Sequence, residues 1–440
     1  MTWSEELVTS ALSVDRLTDD VRAATMISLL DGLAVMAAAP ALEPAVLPFT
    51  DLARASGAGP SALLAGGSAA PALAALANGA LAHALDYEDT FDAAGLHPNA
   101  VAIPALLALA EAEEATLGAL LTALAVGCDA ACRIGLALPS DPAARGWYHP
   151  PMIAAAGAAV GAAHLLRLTV EQAIAAVSLT LVQFSLTDGL KRSPASDLRA
   201  VRDGFAARAA VDGALLARAG VTGTADPLGA DGLIGLLCGA GPKGDAGAVR
   251  FLGREVSLKS WPCCRGTHPA IATALSLRAA GMTPVDLERA VFRLCPPDDM
   301  LFEPKTDRLR PRTAIMAKFS IPYTFAWTLH HGAPGLHSFR AEALADAAVL
   351  ATADRVTMRD CAPDLRPEVT VTTRDRASAR HWLAQPPTVL ARDAGPADMS
   401  AKLAQCAALA HPGAAALLDA LSGAADALKI SALTGDLRGA

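Results

Sequence analysis

Between Asn78 and Glu111 the chain reads NGALAHALDYEDTFDAAGLHPNAVAIPALLALAE, and no other stretch limits the fold as strongly. Apolar residues at helical spacing flank a knot of ionisable ones, so the pattern predicts two helices joined by a loop across Phe91–Gly95. Asp86, Asp89 and Thr90 stand at i, i+3 and i+4, which predicts one shared face at the end of the first helix. His97, Pro98 and Asn99 precede the second helix, with Asn99 as its expected N-cap. So many ionisable groups at the mouth of an apolar helix pair are costly to bury unless they pair or react. An acidic, capped loop facing water is the alternative reading of the same residues.

The rest of the chain shares the helical bias. Hydrophobic residues make up 53 % of 440, yet aromatics only 4 %, so Ala, Leu and Val supply the core. Such a composition favours helix over sheet, and the length suits two or three domains. Helices are expected over 4–40 in two pieces, 74–113, 117–138, 152–166, 170–186 and 203–219. Residues 41–70 and 220–250 read as loop-rich, and Asp129 and Arg133 form an i,i+4 pair. Near Phe251 the character changes. Val291–Leu294, Arg355–Met358 and Glu368–Thr373 have the alternating or β-branched patterns of strands. Ala/Leu helices resume at 397–411 and 413–427. The expected architecture is therefore mainly α: a helical domain over 1–250 and 396–440, with a smaller α+β unit inserted at 251–395.

Several function classes fall away. A net charge of −8 leaves no basic footprint for nucleic acid. The polar, acidic start MTWSEELVTS is not a secretory signal, and the apolar windows are broken by charge or proline, so no membrane span is expected. Gly157 and Gly161 form a GxxxG that close packing of buried helices explains. Eight cysteines in so long a chain read as reduced thiols, consistent with a cytoplasmic setting. Gly239–Gly244 matches GxGxxG but contains Pro242 and lacks a preceding strand, so no dinucleotide site is expected. Cys263, Cys264 and His268 lack a second pair of ligands at zinc spacing. No Gly-x-Ser-x-Gly occurs, so a serine hydrolase is not indicated.

What remains is a series of polar stations beside apolar helices: Asp86 and Thr90, His97, His149, Arg199, Lys259, His268 and Tyr323. Their wording and order resemble the MmgE/PrpD family, which includes 2-methylcitrate dehydratase, cis-aconitate decarboxylase and iminodisuccinate epimerase. The resemblance rests on NGALAHALDYEDT…HPNAVAIPALLALAE, GCDAACRIG, GWYHPP, GFAARAAVDGALLARAGVTG, KSWPCCRGTHPAI and AKFSIPYTFAWTLHHG, in that order.

The resemblance implies a helical body made from both chain ends, an inserted α+β lid, a homodimer, and a cleft that uses neither metal nor organic cofactor. It implies catalytic roles for Asp86, Thr90, His97, His149, Lys259, His268 and Tyr323. Arg199 stands where the decarboxylase relatives carry a lysine, and Cys264 where they carry a histidine. Arginine holds a carboxylate but does not readily shed its proton, so Arg199 is expected to anchor substrate, with Arg133, Arg265 and Cys264 as further contacts. The expected chemistry is proton removal beside a carboxylate of a small di- or tricarboxylate. A hydro-lyase comes first, with an epimerase, a decarboxylase and a non-catalytic relative as alternatives.

Overall fold

The computed structural model describes residues 1–193, 196–294, 298–360, 366–385 and 396–438. The chain is mainly α. Helices α1 (Trp3–Leu12), α2 (Asp19–Ala38) and α3 (Leu47–Ala55) lead to a two-residue ladder, β1 (Ser61–Ala62) against β2 (Ser68–Ala69). Then come α4 (Pro71–Ala84), α5 (Pro98–Ala112), α6 (Leu117–Leu136), α7 (Pro150–Leu165), α8 (Val170–Leu181), α9 (Leu198–Arg218) and α10 (Leu233–Cys238). α3 occupies part of the stretch expected to be loop, and α9 starts earlier than its periodicity indicates, because Arg199 and Arg202 interrupt the apolar pattern while both are buried.

Small residues let these helices approach. A Cβ on Gly204 of α9 would lie 2.5 Å from the Leu76 carbonyl oxygen of α4. One on Gly157 of α7 would lie 2.6 Å from the Gly127 oxygen of α6. The α4–α9 approach matters most, because it sets Arg202 and Asp203, just before Gly204, beside His83 near the end of α4. The α6–α7 approach accounts for the Gly157/Gly161 pair as core packing. Two helical stretches, Asp19–Ala41 and Leu117–Leu136, are long and apolar enough to cross a membrane, but 61 % and 83 % of their apolar windows are buried inside the molecule. They serve as core helices here.

Past residue 250 the chain adds α11 (His268–Ala279), β3 (Leu287–Leu294), α12 (Lys305–Leu309), α13 (Ala314–Lys318), α14 (Ile321–His331), α15 (Ala341–Leu344) and α16 (Ala347–Ala353). Three more strands, β4 (Val356–Asp360), β5 (Glu368–Thr373) and β6 (Ser378–Trp382), complete a sheet ordered β4-β3-β5-β6. β3 runs parallel to β4 and antiparallel to β5, with Phe292 opposite Met358 and Val369. β6 has no sequence signature because its SARHW pattern is exposed and polar. The expected limit at residue 395 lies outside the described residues. Helices α17 (Pro396–Ala407) and α18 (Pro412–Leu421) return to pack on α2.

Candidate functional site

α4 does not continue through the acidic run. It closes at Leu85, and Asp86 takes a left-handed conformation with φ 51°. Aspartate tolerates that region better than most side chains. The expected shared helix face of Asp86, Asp89 and Thr90 is therefore replaced by a tight loop. The Lys318 ammonium donates to the Ala84 carbonyl at 3.0 Å, satisfying the helix end. Asn99 is likewise not a cap. His97 precedes the helix, and Asn99 inside it donates to Asp89 Oδ2 at 2.6 Å.

The loop is stitched to a distant segment. Thr90 N donates to the Ser257 carbonyl at 2.9 Å and Ser257 N to the Thr90 carbonyl at 2.7 Å. Two residues on, Lys259 enters the core with its Nζ bonded to Asp86 Oδ1, and at 3.0 Å to the Asp86 carbonyl. The left-handed turn is what lets carboxylate and carbonyl of one residue face one ammonium. Lys259 is fully buried. Burial alone would strip its charge, but Asp86 and Glu88 raise its pKa above the ordinary lysine value. It is a fixed cation, not a base.

Glu88 is the hub. Its Oε1 receives His83 Nδ1 at 2.5 Å, with His97 Nδ1 2.9 Å and Lys259 Nζ 3.6 Å away. Burial would raise the Glu88 carboxyl, yet His83, Lys259 and His97 together hold it well below the usual range. The two imidazoles lie edge to face with centroids 5.0 Å apart. His97 Nδ1 also meets the Asp89 carbonyl at 2.9 Å. A carbonyl only accepts, so Nδ1 carries the proton and Nε2 holds the free lone pair. Thr90 Oγ1 lies at 3.5 Å from the same nitrogen, at the limit of a bond. His97 keeps 17 % side-chain exposure against 2 % for His83, so of the two only His97 is reachable.

His83, Asp86, Glu88 and His97 offer ligand atoms within 4.8 Å of one another, a set that could hold a metal ion. The Lys259 ammonium already sits among its carboxylates. This group, rather than Cys263, Cys264 and His268, is the metal-like cluster among the described residues.

Further contacts pin the loop from behind. Lys402 of α17 pairs with Asp31 at 2.5 Å, donates to the Tyr87 carbonyl at 2.7 Å, and lies 4.0 Å over the Tyr87 ring. Burial, opposed by Lys402, raises the Asp31 carboxyl. Burial also pushes Asp89 up to about 7.

The other expected residues divide. Cys264 sits where charges from Asp86, Arg199 and Lys259 meet, and burial pushes its thiol up to about 12, so it stays protonated. Arg265 donates to Asp92 (Nη2 to Oδ2, 3.0 Å) and contacts His268 Nδ1 at 3.3 Å. The two therefore form a buried prop joining the 257–265 segment to the loop. His149, just before α7, is acted on by Asp141, Lys191, Asp188 and the backbone of Ala94, a residue of the site loop. Arg133, expected to bind substrate, instead clamps Asp129 at 2.8 Å and the Ala246 and Gly247 carbonyls at 3.1 Å. Tyr323 is fully buried against Trp327 and Phe339, its hydroxyl donated to the Ser338 carbonyl at 2.7 Å. Tyr323 is committed to structure here, its hydroxyl taken by a backbone carbonyl, whereas Arg133 leaves Nη2 without a hydrogen-bond partner among the described residues. Sequence reasoning assigns no role to Glu88, His83, Arg202 or Lys402, all of which the structure brings to the site or its support. For the first two a signal exists, since a histidine five residues before a glutamate in an apolar stretch is an ion pair in waiting.

Burial lowers His268 to about 3 and His149 to about 4. Both are neutral when folded, whereas unfolded histidine protonates below about 6.5. As pH falls from 6.5 toward 4 the unfolded chain gains protons that the folded chain refuses, so stability must drop. At pH 4.5 the cost at His268 is on the order of 2–3 kcal/mol. Urea melts between pH 7 and 4.5 check this, with His268→Gln expected to flatten the slope.

Comparison with known proteins places the chain. Residues 8–242 match the MmgE/PrpD N-terminal domain and residues 261–420 the MmgE/PrpD C-terminal domain. A cis-aconitate decarboxylase-like protein of Aspergillus oryzae (strain ATCC 42149 / RIB 40) is 34 % identical over 162 residues, 35 % of this chain and 33 % of that protein. The match thus spans about a third of that relative's length. With both domain types matched in order over most of its length, the chain belongs to the MmgE/PrpD family.

Proposed function

We propose that the chain is a lyase that removes a proton from the carbon beside a carboxylate of a small di- or tricarboxylate, with elimination of water as its reaction. The observation that carries this reading is the His97–Glu88–Lys259 arrangement: a reachable imidazole with its proton locked on one side, next to a buried permanent cation. A proton beside a carboxylate is weakly acidic, so the enolate-like charge must be met as it forms. His97 Nε2 takes the proton. Glu88 and the Asp89 carbonyl hold the imidazole in the required tautomer and steady the imidazolium. Lys259 faces the developing charge, and Asp86 keeps it protonated and aimed. Arg199 anchors a second carboxylate. His149, neutral near pH 7, is the candidate to donate a hydrogen bond to the leaving hydroxyl, which departs as water with the proton that His97 took from carbon. The reading calls on no cofactor, because Lys259 supplies the positive charge. It carries over the homodimeric assembly and cytoplasmic setting expected from the sequence.

Decarboxylation is the second reading, favoured by the similarity to the cis-aconitate decarboxylase-like protein. Epimerisation needs two opposed acid–base groups and calls on His149 as the second. Purified protein incubated with 2-methylcitrate, citrate, cis-aconitate and amino-dicarboxylates separates these readings. Water loss supports the first, carbon dioxide release the second, and solvent deuterium entering unreacted substrate with loss of optical rotation the third. No turnover of any member would overturn the enzyme reading in favour of a non-catalytic relative.

A further inference from the structure

We propose that Arg308, together with Arg199, forms the subsite for the carboxylate of the substrate farthest from the reacting carbon; this rests on the polycarboxylate reading above. The two residues come from separate elements, Arg199 from the first turn of α9 and Arg308 from α12, and line one narrow pocket walled by Leu190, Met316 and Phe319. Arg199 is 7 % exposed, and its Nε and Nη1 have no hydrogen-bond partner among the described residues. Its guanidinium carbon lies 3.6 Å over the Phe319 ring, which fixes the plane without using a hydrogen bond. A buried guanidinium with open donors is expensive unless an anion joins it.

Arg308 is held differently. Nε donates to the Met300 and Glu303 carbonyls at 2.9 and 3.1 Å and Nη1 to the Met316 carbonyl at 3.3 Å, while Nη2 has no partner among the described residues. Those carbonyls orient the side chain but do not neutralise it. No carboxylate of the described residues forms an ion pair with either arginine. Burial, and next the charge of Arg199, push Arg308 down to about 10, which reports two like charges close together. Built side by side without a counter-ion, they call for a ligand carrying negative charge and two or more acceptor oxygens.

The pocket lies beside the proposed reaction centre: Phe319 of its wall follows Lys318, whose ammonium holds the Ala84 carbonyl and whose own carbonyl accepts from the Cys264 N–H at 3.0 Å. The charges of both Arg199 and Lys259 reach Cys264, so this residue is near the Lys259 end and the arginine end alike. A chain with carboxylates at both ends spans these points; a monocarboxylate fills only one.

Binding measured by calorimetry on the whole protein tests this without turnover, using tricarballylate, succinate, butyrate and inorganic phosphate as probes. Tricarballylate and succinate are expected to bind, with butyrate at least tenfold weaker. Arg308→Gln should weaken succinate about 10- to 100-fold, the loss of a charged hydrogen-bonding group. Arg308→Lys, which keeps charge but loses the planar fork, should fall between. Because Arg308 also braces three carbonyls, Arg199→Gln provides a variant that leaves that bracing intact, and it should weaken succinate similarly. Wild-type affinity in folded Arg308→Gln, or butyrate binding as tightly as succinate, would overturn the subsite. Phosphate outcompeting both dicarboxylate and tricarboxylate would overturn the carboxylate assignment. If the anions bind as described while no substrate turns over, the enzyme reading fails and the subsite stands.

Discussion

Replacing Lys259 by Met should abolish turnover, a loss of at least about 10³-fold for a group that meets transition-state charge in a dry site. It should also destabilise the fold, because Asp86 and Glu88 would then share a buried nest without their cation. Removing one partner of a buried pair costs about 3–5 kcal/mol. The two effects can be separated. Adding Asp86→Asn to Lys259→Met removes the orphaned charge while leaving a side chain that still tolerates the left-handed turn. That double variant should regain much of the stability, read by urea melts, and none of the turnover. Recovery of activity together with stability would mean that Lys259 serves only to fold the loop, and the proposed electrostatic role would fall.

The same pair shows how far the sequence can be read. That Asp86 and Lys259 belong to one site comes from family wording, not from spacing, since 173 positions separate them. Local spacing does well where the interaction is local: Asp129 and Arg133, four apart on α6, form the ion pair expected of them. It fails at the end of α4. The helical period runs on through LDYEDT with no glycine or proline to stop it, so the break at Asp86 leaves no mark. Only Lys259 and Lys318, each drawing a carbonyl out of the helix end, make the break worthwhile. Arg199 is expected in a loop and lies in the first turn of α9, because a charged residue breaks the apolar period although its guanidinium is buried over the Phe319 ring. The Lys402–Asp31 pair joins residues near opposite chain ends and has no sequence signature at all. Tyr323 looks functional in the sequence for the opposite reason. Buried donors that satisfy backbone carbonyls cannot be told from substrate-facing ones until the carbonyls are placed.

The histidines pose a sharper question, since two of them could be the base. His97→Gln should depress proton abstraction by about 10²–10⁴-fold, the usual weight of a positioned general base. His149→Gln should spare that step and slow only the later loss of hydroxide. The ordering comes from their surroundings. His97 has its Nδ1 proton fixed on the Asp89 carbonyl, so the opposite nitrogen holds the lone pair, and an imidazolium, once formed, is steadied by the Glu88 carboxylate 2.9 Å away. His149 has burial against it, is held down to about 4, and faces Lys191 as well as Asp141 and Asp188. Such a group is neutral near pH 7 but reluctant to gain a proton and keep it. Exchange of substrate hydrogen for solvent deuterium, measured separately from product formation, distinguishes the two. His97→Gln should lose exchange and product together. His149→Gln should retain exchange while product falls, provided abstraction is reversible. If His149→Gln instead loses exchange and His97→Gln keeps it, the base lies on the α7 side of the site loop. The Glu88 hub would then be a folding device that holds Asp86 and Lys259 in register for a reaction carried out from the other face.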